Sequence, residues 1–335
     1  MTRRIAVQSL IAALLLVGCS DDFPDEFDAV PASAEVVASV DARSAYELLR
    51  QTAIAAAPDG VKDKAPALDA VLSQAMDIAG LDLRKLDHLL LFGDPDAPSR
   101  GVAIALGLAA HGLKGKPAGE HLGVPIFELV GFTYAVVPGL GVVLAPGKPA
   151  LTECIDAWKG KAKRLVDTER GKVLARLLGV ERDLDLVRIY ALTDKLPGSG
   201  MLPMKIQGGA LLFHAERGAA GVLVSDEKGA KELAVWARRG ISSLQMLTAF
   251  GASDVLGPKS PIPVDKDTEQ HVLKLISRVE TRQDREKVVV LCRAEMKQLV
   301  AGAARAGLEQ LQVEMQPDRP PPPIAPMPQS APSSP

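Results

Sequence analysis

Two rhythms of apolar and polar positions run along the chain. Short apolar runs bounded by Gly, Pro and Asp predict strands over 34–40, 86–92, 101–108, 125–130, 134–138 and 141–145, and again over 184–192, 206–215, 218–225 and 288–291. Apolar residues at helical spacing predict helices over 45–56, 65–79, 149–158, 172–178, 230–238 and 294–306. Asp41 and Ser44 are candidate caps for the first helix, and Gly80 closes the second. Pro58-Asp59-Gly60 is a turn between them.

The syntax repeats. Residues 142–160 and 221–240 each read as a strand, a Lys-bearing turn, then a helix with Trp about a dozen residues after the strand ends. The chain's two Trp, Trp158 and Trp236, fall at those matching places. Their separation is too long for a solenoid repeat. The fold class predicted is α+β: two related units of mostly antiparallel sheet with helices packed on one face. The expected domains are 31–165 and 166–315.

The ends follow neither rhythm. Met-Thr-Arg-Arg is a short basic start, and residues 5–18 are apolar except for Gln8 and Ser9. That run is short of the roughly 20 residues a membrane-spanning helix needs. A basic start, a short apolar core and small residues predict an export signal over 1–18. Residues 19–30 are acidic and read as a flexible linker. They lack the alternating spacing and central Gly of a calcium loop. Residues 316–335 are Pro-rich, with Pro320 to Pro323 consecutive, and read as a disordered or polyproline-like tail. A second Pro-rich loop covers 257–264.

Composition narrows the partners. The chain has 39 basic and 41 acidic residues. Without Arg3 and Arg4 the net charge falls to near −4, so no basic face is implied and nucleic acid is not an expected partner. Aromatic residues make up 4%, too few for a broad stacking platform for sugars or bases. Apart from Cys19, two cysteines remain. Cys154 and Cys292 are candidates for a disulfide if the chain reaches an oxidising compartment; the alternative is two buried free thiols.

Candidate chemistry is thin. The five His (His88, His111, His121, His214 and His271) are scattered, and no metal is expected. Glu120-His121 with His111 is the nearest cluster, and it reads as loop polar residues. His88 and His214 sit in apolar strands and read as satisfied sheet residues. A G-x-S-x-G elbow is absent, and Gly198-Ser199-Gly200 reads as a turn. Gly139-Leu140-Gly141 fails as a dinucleotide fingerprint, because Leu144 stands where Gly is wanted. Asp183 and Asp185 are paired carboxylates whose spacing alone identifies no glycosidase dyad. No cofactor is implied.

Leu16-Val17-Gly18-Cys19 resembles the lipobox of bacterial lipoproteins: an aliphatic residue, a small residue before the cut, then cysteine. The resemblance implies signal-peptidase recognition at Leu16, Val17 and Gly18 and palmitate-type acylation of Cys19. Each buried CH₂ of such a chain contributes about 0.8 kcal/mol, and stable anchoring takes more than one chain. Ser20 rather than Asp after the cysteine implies, by likeness to Gram-negative lipoproteins, the periplasmic face of the outer membrane. The body also resembles a family of secreted bacterial proteins built from duplicated α+β units. Pro31-Ala32-Ser33-Ala34 and Gly80-Leu81-Asp82-Leu83-Arg84-Lys85-Leu86 carry that likeness. It brings no functional residues with it.

The expectation is a lipid-anchored envelope protein that binds or scaffolds and is not an enzyme. One rival is a periplasmic hydrolase whose active site is dispersed in sequence; another is a carrier of a hydrophobic ligand. The expected partners are the membrane, through lipid on Cys19, and an envelope protein, through the Pro-rich tail.

Overall fold

A computed structural model describes residues 23–56, 85–108, 115–129, 131–193, 204–249 and 266–297. The lipobox, the helix predicted over 65–79, His111, the 257–264 loop and the tail lie outside these residues, as does most of the helix predicted over 294–306.

Twelve strands form one antiparallel sheet. They are β1 (Val36–Asp41), β2 (His88–Asp94), β3 (Ala97–Leu106), β4 (Lys116–His121), β5 (Val124–Leu129), β6 (Phe132–Val137), β7 (Gly141–Ala145), β8 (Val187–Ala191), β9 (Gly208–His214), β10 (Gly218–Val224), β11 (Val279–Asp284) and β12 (Lys287–Cys292). Among the described residues five helices accompany them: α1 (Ala42–Ala56), α2 (Lys148–Trp158), α3 (Glu169–Leu178), α4 (Glu227–Ala249) and α5 (Lys266–Ile276). The fold is α+β.

Strand order is β11-β12-β10-β9-β8-β1-β2-β3-β7-β6-β5-β4. Read outward from the β1–β8 pair, the two halves share five strands in the same arrangement, and β5 and β4 extend one half alone. A three-strand meander (β1-β2-β3 or β8-β9-β10) is followed by a hairpin (β6-β7 or β11-β12) whose second strand returns beside the meander. The duplication is therefore present in the sheet. It does not match the two Trp helices, however. α2 follows β7, the last strand of its unit, whereas α4 follows β10, the third strand of the other. Trp158 and Trp236 share a local strand–turn–helix syntax without sharing a place in the repeat.

Alternation splits each strand between the two faces. One face presents Val37, Leu90, Ile104, Val143, Leu212 and Leu291, all buried. It is covered by α2, α3 and two 3₁₀ turns, Asp25–Ala29 and Leu165–Asp167. Thr168 caps α3, its hydroxyl accepting from the Gly171 amide at 3.1 Å. Asp41 caps α1, accepting from the Ser44 amide at 2.9 Å. On the opposite face α4 packs Ala230, Leu233 and Ala234 against Val288 and Leu223 at the β10–β12 end, and Ala42 of α1, with Leu86 and Leu108, packs against Ala105, Tyr134 and Val142 at the β3-β7-β6 side. Helices thus lie on both faces, one covered broadly and the other on either side of its centre.

Two expectations change. The acidic stretch 19–30 does not run free up to residue 31. Phe27, Ala29 and Val30 are in the main core, and the Leu165 amide donates to the Val30 carbonyl at 2.8 Å. The acidic side chains hid an apolar core contact made by one 3₁₀ turn. The segment around Glu120-His121 is also not a loop. It ends β4, and His121 Nε2 lies 2.7 Å from Asp156 Oδ1 on α2.

Candidate functional site

Two features of the sheet stand out, one on each face. The first is the central part of the open face. An antiparallel sheet exposed on one side ordinarily alternates apolar inward and polar outward. Here the outward positions of β1, β2, β3, β8 and β9 are Val36, Ala38, Leu91, Ala103, Ile189 and Leu211. Leu211 is 64% exposed and Trp236, on α4, 56%. Leu91 and Ile189 are also exposed and Val36, Ala38 and Ala103 half-buried, an apolar surface of the kind that marks a binding site.

Small residues carve two clefts into that face. A cleft of 670 Å³ is floored by Val36, Ala38, Leu91, Gly93 and Ala103 and walled by Phe132 and Leu144. Gly93 and Gly101 face each other so closely that a Cβ on Gly93 would lie 3.0 Å from the Gly101 Cα. A second cleft of 380 Å³ is floored by Ala191, Gly209, Leu211 and Gly221 and walled by Leu233 and Trp236 of α4. The two adjoin. Val36 and Ala38 of the first pair across β1–β8 with Ala191 and Ile189 of the second. The floor strands are topological equivalents, so the duplication gives two related clefts side by side. Among the described residues, Asp94 is the only ionisable one lining either.

The second feature is polar and lies on the helix-covered face, where β1 ends and β2 and β8 begin. A cleft of 610 Å³ is lined by Ser39, Asp41, His88, Asp185, Arg188 and Tyr190, with Glu26 and Phe27 of the first 3₁₀ turn above them. Ser39 Oγ and His88 Nε2 share a hydrogen bond of 2.8 Å. Arg188 donates to the Leu184 carbonyl at 3.2 Å and the Arg182 carbonyl at 2.6 Å. Arg43 pairs with Asp87. The Tyr190 hydroxyl is buried and has no hydrogen-bond partner among the described residues. Burial pushes its pKa up, with Arg188 pulling the other way.

The sequence candidates separate. His88 is not merely a satisfied sheet residue, since it meets Ser39 in a cleft. His214 accepts from the Glu216 amide at 3.2 Å in a turn. Asp183 and Asp185 diverge: Arg293 pairs with Asp183, and Asp185 lines the polar cleft. Cys154 and Cys292 are both free and buried. They cannot bridge because the sheet lies between them: Cys154 packs into the main core, while Cys292 packs with Leu275, Ala294 and Met296 on the other face. Desolvation pushes the Cys154 thiol up to about 12. Ser39 was missed by sequence. The one sign of it is that Ser39 shares strand parity with buried Val37, as His88 does with Leu90 and Phe92.

No helix among the described residues is long and apolar enough to cross a membrane. No family model and no curated protein sequence matches the chain. Among solved structures, crystal form III of TP0453 has a TM-score of 0.41 at 6% identity, covering 84% of this chain and 97% of that one. Crystal form I has a TM-score of 0.40 at 9% identity, covering 84% and 98%. At this level of similarity nothing is carried over from that protein to this chain.

Proposed function

We propose that this protein is a lipid-anchored component of the bacterial cell envelope that holds the acyl chains of a lipid on the open face of its sheet, without chemically altering them. The observation that carries the reading is the pair of adjoining apolar clefts at the centre of that face. Their volumes fall in the usual range for small-ligand sites, about 300–1,000 Å³. Their lining offers an acyl chain apolar contact and offers a headgroup only Asp94. Neither cleft contains a nucleophile paired with a base, so retention rather than turnover fits the lining. Acylation of Cys19 at the cut after Leu16, Val17 and Gly18 would keep the clefts beside a bilayer, the source of such ligands. Within that reading the outer membrane's periplasmic face is the proposed location.

Trp236 provides the test, since it walls the smaller cleft. In a Trp158→Phe background, Trp236 is the sole Trp and reports its own surroundings. Fatty acids brominated along the chain are titrated into the protein. Saturable quenching of Trp236, abolished by Leu211→Glu, supports the proposal. Absence of quenching up to the solubility limit of the fatty acid rejects it. Incorporation of labelled palmitate in cells, lost in Cys19→Ala, tests the anchor separately.

A further inference from the structure

The polar cleft plays no part in holding acyl chains on the other face, yet it has the parts of a reactive site. Ser39 and His88 stand on adjacent strands and face the same side, with Oγ and Nε2 2.8 Å apart. A hydroxyl within hydrogen-bond reach of an imidazole is the nucleophile–base arrangement of covalent acyl transfer. A Ser–His hydrogen bond across a sheet can be structural, and two observations set this one apart. The pair opens into a cleft of 610 Å³. The same cleft is lined by Tyr190, whose hydroxyl is buried with no hydrogen-bond partner among the described residues. Ser39 stands opposite Arg188 across β1–β8, and Tyr190 lies two residues further on the same face. Native proteins seldom leave such a hydroxyl unpaired; Arg188, which acts on it, can only donate, so its proton is free for an acceptor beyond the described residues.

The charges in the cleft select the substrate. Asp41 stands opposite His88 in the β1–β2 register, and Asp87 and Asp185 line the same cleft. These carboxylates offset the positive charge that forms on an imidazole accepting a proton. Arg43 and Arg188 are already engaged, by Asp87 and by backbone carbonyls. The cleft therefore suits neutral or cationic esters and repels anionic ones.

We propose that Ser39 and His88 form a nucleophile–base pair acting on small neutral or cationic carboxylic esters. His88 Nε2 takes the Ser39 hydroxyl proton as Oγ bonds to the ester carbonyl carbon. The oxyanion of the tetrahedral adduct accepts a hydrogen bond from the Tyr190 hydroxyl. The bond from carbon to the alcohol oxygen breaks, and that oxygen leaves with the proton from His88. Water then attacks the acyl-Ser39 ester and gives its proton to His88. The carboxylic acid departs, and Ser39 Oγ recovers the proton. No oxidant or reductant is needed.

The test uses the full mature chain, a fluorophosphonate–biotin probe with peptide mapping, and release of nitrophenolate from 4-nitrophenyl acetate. The expected result is a label on Ser39 that is lost in Ser39→Ala. His88→Asn slows labelling about a hundredfold. Tyr190→Phe folds normally yet loses at least tenfold in nitrophenolate release. Urea midpoints of each variant separate lost reactivity from lost fold, and Tyr190→Phe removes a hydroxyl that donates to nothing among the described residues. No label on Ser39 overturns the proposal, as does labelling of His88→Asn at the wild-type rate. Undiminished turnover in Tyr190→Phe overturns the role given to that hydroxyl.

Discussion

Adjacent leucines on β9 test the open face directly. Leu212 is 1% exposed, packed in the main core on the face that α3 covers at β9. Leu211, one residue earlier, is 64% exposed on the other side of the same strand. Replacing each with Ala removes the same atoms from the same strand, so backbone propensity nearly cancels between the two variants. Leu212→Ala loses buried apolar surface and leaves a cavity, which costs about 2–5 kcal/mol. Leu211→Ala removes a side chain that already meets water, and the cost is about 0.5 kcal/mol or less. The gap is thus about 1.5 kcal/mol at its smallest, or roughly tenfold in the folding equilibrium, since about 1.4 kcal/mol is tenfold.

Urea unfolding followed by circular dichroism measures both, with unchanged slopes securing the comparison. Equal losses at the two positions would refute the reasoning. They would mean that Leu211 is covered in solution and that the clefts are closed. The lipid-holding proposal falls with that result, because it needs the face open. The reactive-serine proposal does not, since its cleft lies on the other side of the sheet.

Three further outcomes follow from single groups. Tyr190→Phe should stabilise the fold by about 1–3 kcal/mol, the usual cost of a buried unpaired hydroxyl; a lowered melting temperature would show that the hydroxyl has a partner. In a Cys19→Ala chain, thiol reagents at pH 8 should find nothing in the native protein and two thiols in guanidinium, because Cys154 is pushed to about 12 and Cys292 is raised by burial; a bridged pair would titrate as none. The Asp183 carboxyl is held below the ordinary carboxylate range, first by its hydrogen bond from Arg293. Its contribution is therefore complete above about pH 4, near the unfolded value, and is lost as pH falls through the folded value. Asp183→Asn should flatten the decline of urea midpoints below about pH 4, only slightly, because the pair is well exposed and screened.

What the sequence revealed of the fold tracks what water does to each strand. Strands with one or both faces in apolar surroundings carry their pattern openly, and β2, β3, β7, β9 and β10 fall close to where the alternation predicts them. The two outermost strands do not. β4 is Lys-Pro-Ala-Gly-Glu-His and β11 is Val-Glu-Thr-Arg-Gln-Asp. Edge strands are kept short, charged or proline-bearing so that they do not pair with other chains. That protection removes the apolar alternation by which a strand is read. The same loss hid the 3₁₀ turn at Asp25–Ala29, where four acidic or capping residues surround the one Phe that is buried.

The candidate sites were hidden for a different reason: both depend on strands far apart in the chain. Ser39 and His88 are 49 residues apart, and no spacing rule joins them. The clefts on the open face need the repeat, and local syntax pointed to the wrong one. Matching Trp158 with Trp236 pairs helices that follow different strands. Pairing strands by topology instead sets β1 with β8, β2 with β9 and β3 with β10. The floors then correspond in kind: Val36 and Ala38 with Ile189 and Ala191, Leu91 and Gly93 with Leu211 and Gly209, Gly101 and Ala103 with Gly221 and Leu223. On the outward parity of these strands both units keep small or apolar residues, where solvent alone would favour polar ones. The common apolar requirement therefore lies on the face that α2 and α3 leave uncovered, and folding of the main core does not account for it. The acyl ligand proposed for that face would account for it.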